Sequence, residues 1–124
     1  DWSSDVCSSD LSWVNPDDSY SDVGMDDYIN DGYLNVIQVI KSITSQKQIN
    51  AIGYCIGGTT LGLTIAYLNK INDNSIRAAT FFTTLTDFAE QGEFTPFLQN
   101  DFIDSIEREV TQSGILKSFI VIYY

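Results

Sequence analysis

Residues Gly53-Tyr54-Cys55-Ile56-Gly57-Gly58 place a thiol between glycines at the junction of two apolar runs. The G-x-Cys-x-G spacing is that of a nucleophile elbow. The attacking residue there sits on a strained strand-to-helix turn, and small neighbours let the backbone take that turn and the helix pack closely. A thiol attacks as its thiolate, and the positive end of a following helix favours that anion. The Ile56 backbone N–H, immediately after Cys55, is then placed to support the oxyanion of a tetrahedral intermediate. The plainer alternative is a buried structural thiol, since free cysteine packs as a small hydrophobe. Glycines at 53, 57 and 58, at a strand-helix junction, favour the nucleophile.

Other chemistries fit the same loop less well. A dinucleotide site of the G-x-G-x-x-G type needs glycine where Cys55 stands, so that a pyrophosphate can approach the backbone, and no phosphate-loop lysine follows. The acids Asp17, Asp18, Asp22, Asp26, Asp27 and Asp31 lack the spacing and terminal glutamate of a calcium loop and read as a solvated surface. No metal site is expected. Asp87, just past a β-prone run, is the candidate for a carboxylate at the site edge; its bland reading is a turn or helix cap.

The elements that must position Cys55 follow from periodicity. Ser12-Trp13-Val14, stopped by Asn15-Pro16-Asp17, reads as the end of a strand, and the acidic stretch from Ser19 to Asp31 as a solvated loop leading into a helix. Ile29, Tyr33, Val36, Ile37, Ile40 and Ile43 recur at three- and four-residue steps, as one stripe of that helix. Ile49-Asn50-Ala51-Ile52-Gly53-Tyr54 suits a strand of a parallel sheet covered on both faces. From Gly58 to Asn69 a helix follows, with Leu61, Ile65 and Leu68 on one stripe and Gly62 allowing close approach to the sheet. Ile76 to Thr84 reads as the next strand, and Phe102, Ile106 and Val110 as the apolar face of a last helix. Strand and helix alternate, which predicts an α/β fold with right-handed crossovers.

The chain has 124 residues, 44% of them hydrophobic, enough for one domain with a core. Six basic residues against seventeen acidic ones, a formal charge of -11, exclude an electrostatic footprint for nucleic acid or anionic membranes. A small molecule or another protein is the expected partner. No apolar stretch reaches the roughly 20 residues of a membrane span, and no signal-peptide pattern is present, so a cytoplasmic setting with Cys7 and Cys55 both free is expected. Residues 1–11 match the translation of a common sequencing-library adapter and are set aside as an artefact, which removes any meaning from Cys7. The apolar tail 118–124 carries no terminating signal and reads as an aberrant end. A triad on this fold needs an acid and a histidine later in the chain, yet these residues include no histidine; truncation is the expected reason.

Gly-Tyr-Cys-Ile-Gly-Gly resembles two families of α/β-hydrolase fold with a cysteine nucleophile, the polyhydroxyalkanoate synthases and the dienelactone hydrolases. The flanks separate them. Ser12 to Asp17, Asp27-Tyr28 with Gly32-Tyr33-Leu34, Ile49 to Cys55, and Ala79 to Phe88 together resemble class I poly(3-hydroxyalkanoate) synthase, in one register over residues 12–117. The resemblance implies a partial α/β-hydrolase catalytic domain, with Cys55 the nucleophile of an acyltransferase that polymerises (R)-3-hydroxyacyl-CoA to polyester and releases coenzyme A. It also implies no cofactor beyond that substrate, a setting at the surface of polyester granules, a homodimeric parent, and an activating histidine and aspartate downstream of these residues. The chain by itself is therefore expected to be inactive. A hydrolase of the dienelactone type, or a non-catalytic scaffold in which Cys55 is only packed, are the alternatives.

Overall fold

The computed structural model describes residues 10–89, 92, 95 and 99–116; the expectations for residues 1–9 and 118–124 lie outside these. The chain divides into two compact units. One, built on Gly24–Asp87, holds both strands and Cys55; the other contains Trp13–Val23 and the last helix.

In the first unit Gly24 opens a continuous helix. The Asp27 carboxylate accepts the Gly24 N–H at 2.7 Å, satisfying a donor that a helix start leaves unpaired. The helix begins as α1 (Met25–Asp27), widens into a π-helical segment (Tyr28–Leu34), and continues as α2 (Asn35–Thr44). It therefore starts inside the stretch expected to be a loop. The predicted stripe holds for Ile37, which is buried, and partly for Ile29, Tyr33, Val36 and Ile40, but Ile43 is 75% exposed. Half-buried Lys41 and Thr44 carry the covered face on instead. Ser45, in the left-handed conformation at φ 56°, ends the helix.

Strands β1 (Ile49–Tyr54) and β2 (Ile76–Phe82) pair in parallel, from Ile49 with Ile76 to Tyr54 with Phe82, with one irregularity after Ile49. Helix α3 (Ile56–Lys70) connects them, completing a β-α-β unit. α3 begins at Ile56 rather than Gly58, and buries Leu61, Leu68 and Thr64. Each such leucine contributes about 1.5–3 kcal/mol relative to exposure. Side chains alternate along β1: Ala51 and Gly53 turn to the covered face, while Ile52 and Tyr54 stand 74% and 70% exposed on the other. The expectation of a sheet covered on both faces is corrected, because within this unit the Ile52 and Tyr54 face of β1 is exposed. Close approach comes from Gly53 and Gly58 rather than Gly62, beside which an added Cβ would meet nothing within 4 Å.

The far end of the unit is held by polar ties. Fully buried Ser75 accepts a hydrogen bond from the Lys41 ammonium at 2.7 Å, its carbonyl takes the Ile49 N–H at 2.8 Å, and its own N–H donates to Asp73 at 2.7 Å. Hydrogen bonding from Ser75, side chain first and then backbone, holds the Asp73 carboxyl below its ordinary value, with the Lys41 charge adding a smaller push.

In the second unit Asp17 caps a 3₁₀ turn (Asp18–Tyr20) by accepting the Ser19 N–H at 2.9 Å. Ser12-Trp13-Val14 is not a strand: the described sheet consists of β1 and β2, and a strand exists through the ladder it shares with a neighbour. α4 (Asn100–Ser113) has Phe102 and Ile106 half-buried and ends at Gly114, whose φ of 74° suits glycine and whose N–H bonds the Val110 carbonyl at 2.7 Å.

Candidate active site

Cys55 is the single residue between β1 and α3, and its backbone is unusual. At φ 52° and ψ -127° it occupies a region that residues with a side chain rarely adopt, at a cost of order 1–3 kcal/mol. Hydrogen bonds on both sides impose it. The Cys55 N–H donates to the Phe82 carbonyl at 3.0 Å, extending the parallel ladder past the end of β1, while the Cys55 carbonyl accepts from Gly58 N–H at 3.0 Å and Thr59 N–H at 3.2 Å. The chain must pass from strand to helix within one residue, and that residue carries the strain.

Two of the three glycines are needed for space. A Cβ at Gly53 would stand 2.5 Å from the Gly58 Cα, and one at Gly58 would overlap the Thr84 side chain. Gly57 differs, since its Cβ would have the Tyr33 hydroxyl at 3.9 Å as its nearest neighbour, an ordinary contact. The spacing expected of an elbow is thus enforced by contact at 53 and 58, not at 57.

Cys55 is a free thiol and is exposed, as are Tyr54 and Ile56. The thiol is therefore not buried by the described residues of this unit. At the start of α3, Cys55 makes no side-chain cap, and its carbonyl already holds the Gly58 and Thr59 amides. The remaining amides of the first turn, those of Ile56 and Gly57, are the ones a ligand beside the thiol would meet.

The segment after β2 closes onto the same turn. The strand stops at Phe82 rather than Thr84 because Thr83 turns to φ 47°. Thr84 Oγ1 donates to the Phe82 carbonyl at 3.0 Å, and Thr59 Oγ1 donates to the Leu85 carbonyl at 2.6 Å. Asp87, exposed, follows shortly after on the same segment. On the other flank, the Tyr33 hydroxyl donates to the Gly57 carbonyl at 3.1 Å and lies 2.6 Å from Thr60 Oγ1. Sequence reasoning placed Tyr33 on an apolar stripe and passed over Thr59, Thr60 and Thr84. Only the unbroken Gly-Gly-Thr-Thr run hinted that hydroxyls would be used there.

Among the described residues no group of histidine, cysteine, aspartate and glutamate side chains is arranged to hold a metal, and no helix is long and apolar enough to cross a membrane.

No protein-family model matches the chain. It is 36% identical over 107 residues to the poly(3-hydroxyalkanoate) polymerase subunit PhaC of Rhizobium meliloti, and equally so to the poly(3-hydroxyalkanoate) polymerase of Methylorubrum extorquens; each match covers 86% of this chain. The PhaC subunit of Cupriavidus necator is 35% identical over 104 residues, covering 84%. The chain spans only 17–18% of the length of these relatives.

Proposed function

We infer that this chain, which belongs to the poly(3-hydroxyalkanoate) polymerase family over the segment it shares with those relatives, carries the nucleophile of a class I acyltransferase within a partial α/β-hydrolase fold. The observation that carries the reading is the Cys55 turn: a free, exposed thiol held at φ 52° between a parallel strand and a helix. This is the disposition a nucleophile elbow requires.

In the proposed reaction the Cys55 sulfur attacks the thioester carbon of an (R)-3-hydroxyacyl-CoA. The S–C bond to Cys55 forms, the carbonyl oxygen gains negative charge against the Ile56 N–H, and collapse breaks the bond to coenzyme A, whose thiolate takes the proton that Cys55 gave up. A growing chain's hydroxyl then attacks the acyl enzyme, lengthening the polyester by one unit and returning the thiol. Exchange of one thioester for another is nearly balanced in energy, so the acyl group stays poised for transfer. Asp87 is kept as a candidate for the site edge. A histidine that activates the thiol is part of the same proposal, and these 124 residues contain none. Association with polyester granules in the cytoplasm and a homodimeric state belong to the same proposal.

The test uses the complete gene product that contains this segment, incubated with (R)-3-hydroxybutyryl-CoA while coenzyme A release and polymer are followed. Cys55→Ala should abolish both. Release that survives Cys55→Ala would remove the thiol from the mechanism, and release without polymer would favour a hydrolase.

A further inference from the structure

The first turn of α3 is tied through the Gly58 and Thr59 amides and the Thr59 hydroxyl, while its composition favours it little. It contains Gly57 and Gly58, each about 1 kcal/mol poorer than alanine in a helix, and Cys55 provides no side-chain cap. Yet the Ile56 amide belongs to this turn, and an oxyanion donor works only if held where charge develops. Gly58 is fixed on its sheet side by Gly53 and Thr84. Gly57 has open space around it apart from Tyr33.

Tyr33 adds a restraint from the neighbouring helix. Its hydroxyl donates to the Gly57 carbonyl at 3.1 Å and shares a 2.6 Å hydrogen bond with Thr60 Oγ1. Thr60 is buried, and its Oγ1 reaches back 3.0 Å to the Ile56 carbonyl. With one proton on each hydroxyl, the pair donates either from Thr60 to Tyr33 to the Gly57 carbonyl or from Tyr33 to Thr60 to the Ile56 carbonyl, and Thr60 Oγ1 also lies 3.2 Å from the Gly57 carbonyl, so the network ends on a residue that follows Cys55 in either arrangement. Tyr33 also sits in the seven-residue π-helical segment Tyr28–Leu34. Such segments are rare and recur at functional sites, and widening the helix changes which side chains it presents to a neighbour.

We propose that Tyr33 is a positioning residue for acyl transfer: through Gly57 and Thr60 it holds the first turn of α3 so that the Ile56 amide stays aimed at the oxyanion formed on Cys55. This rests on reading Cys55 as the nucleophile and the Ile56 N–H as an oxyanion donor. It adds a residue that acts through the backbone of α3.

Two thiol reactions separate positioning from general loosening. p-Nitrophenyl acetate acylates Cys55 through a tetrahedral oxyanion: sulfur bonds to the acetyl carbon, p-nitrophenolate leaves, and the thiol proton goes to buffer. Iodoacetamide alkylates the same sulfur by displacement of iodide, with no oxyanion. In the complete gene product that contains this segment, both rates are measured at Cys55 by peptide mass spectrometry for the parent, Tyr33→Phe and Thr60→Val, with circular dichroism verifying the fold. Losing a donor outright costs about 100- to 1,000-fold, so loss of an indirect support should lower acylation by about 5- to 10-fold. Alkylation should stay within about 2-fold. Thr60→Val should reproduce the selective loss, and it carries the test if Tyr33→Phe does not fold. Equal changes in both rates, or none in either, would overturn the role of Tyr33 while leaving Cys55 as nucleophile. If the folded parent shows the same ratio of acylation to alkylation as the urea-unfolded chain, the oxyanion reading fails as well.

Discussion

Adjacent glycines after Cys55 should respond oppositely to the same methyl group. Gly57→Ala places a Cβ 3.9 Å from the Tyr33 hydroxyl, an ordinary contact, and replaces a poor helix former with the best one. A gain of about 0.5–1 kcal/mol is expected. Gly58→Ala gains the same propensity but drives the Cβ into Thr84, with Cγ2 at 2.7 Å and Cβ at 2.9 Å. Thr84 cannot simply rotate away, since its Oγ1 is bonded to the Phe82 carbonyl, the same oxygen that takes the Cys55 N–H. Overpacking of this kind costs about 1–3 kcal/mol, leaving a net loss of about 1–2 kcal/mol. Urea unfolding followed by circular dichroism would show a higher midpoint for Gly57→Ala and a lower one for Gly58→Ala. In the double variant Gly58→Ala/Thr84→Gly the coupling should return about 1–2 kcal/mol, whereas Thr84→Ala should return less because its Cβ remains. Equal effects at the two glycines, or no coupling to Thr84, would refute the claim that contact rather than turn conformation selects glycine here.

Cys55→Gly should be more stable than Cys55→Ala by about 1 kcal/mol or more in the same urea assay, because glycine adopts φ 52°, ψ -127° without the strain a Cβ brings; equal midpoints would place no strain at the turn. Asp73 gives a pH prediction. Its folded carboxyl titrates below its ordinary value of 3.8, so its contribution is complete above about pH 4 and is lost as pH falls through the lower folded value. Between pH 5 and 3, Asp73→Asn should therefore lose less stability than the parent chain, and parallel losses would show that the Ser75 bonds do not favour the ionised form.

The elements that obey one simple period were legible in the sequence. Periodicity places β1 at its observed bounds and α3 within two residues of its own, and it marks a helix around Phe102 and Ile106, although Val110 faces out. The failures have physical causes. Ser12-Trp13-Val14 has strand composition, but composition does not supply a neighbouring ladder. Nothing in Tyr28–Leu34 announces a π-helical turn, and within α2 the covered face set by Ile37 and Ile40 continues through Lys41, which reaches Ser75, and Thr44, so that Ile43 lies off it. The Cys55 junction was legible for a different reason: glycine spacing records steric contact directly. Its supports were not legible, since a threonine that back-bonds to its own helix and one that bridges to another segment look the same in sequence.

The geometry around Cys55 and the kinship with the polymerases answer different questions. A strained, exposed thiol beside two helix-start amides suits any reaction passing through a tetrahedral oxyanion, whether the acyl group then goes to water or to another hydroxyl. The acceptor is chosen by whatever shapes the space above the thiol. Gly53, Gly58, Thr84 and the Phe82 carbonyl fix the backbone of the turn that carries the thiol. In the proposed reading, the choice between hydrolysis and polymerisation rests on the 35–36% identity to polymerases across the segment, and not on the turn. Substitutions at Gly58 or Tyr33 should consequently slow acylation of Cys55 whatever the acceptor. A change in the partition between water and polymer should arise only from residues that contact the incoming hydroxyl.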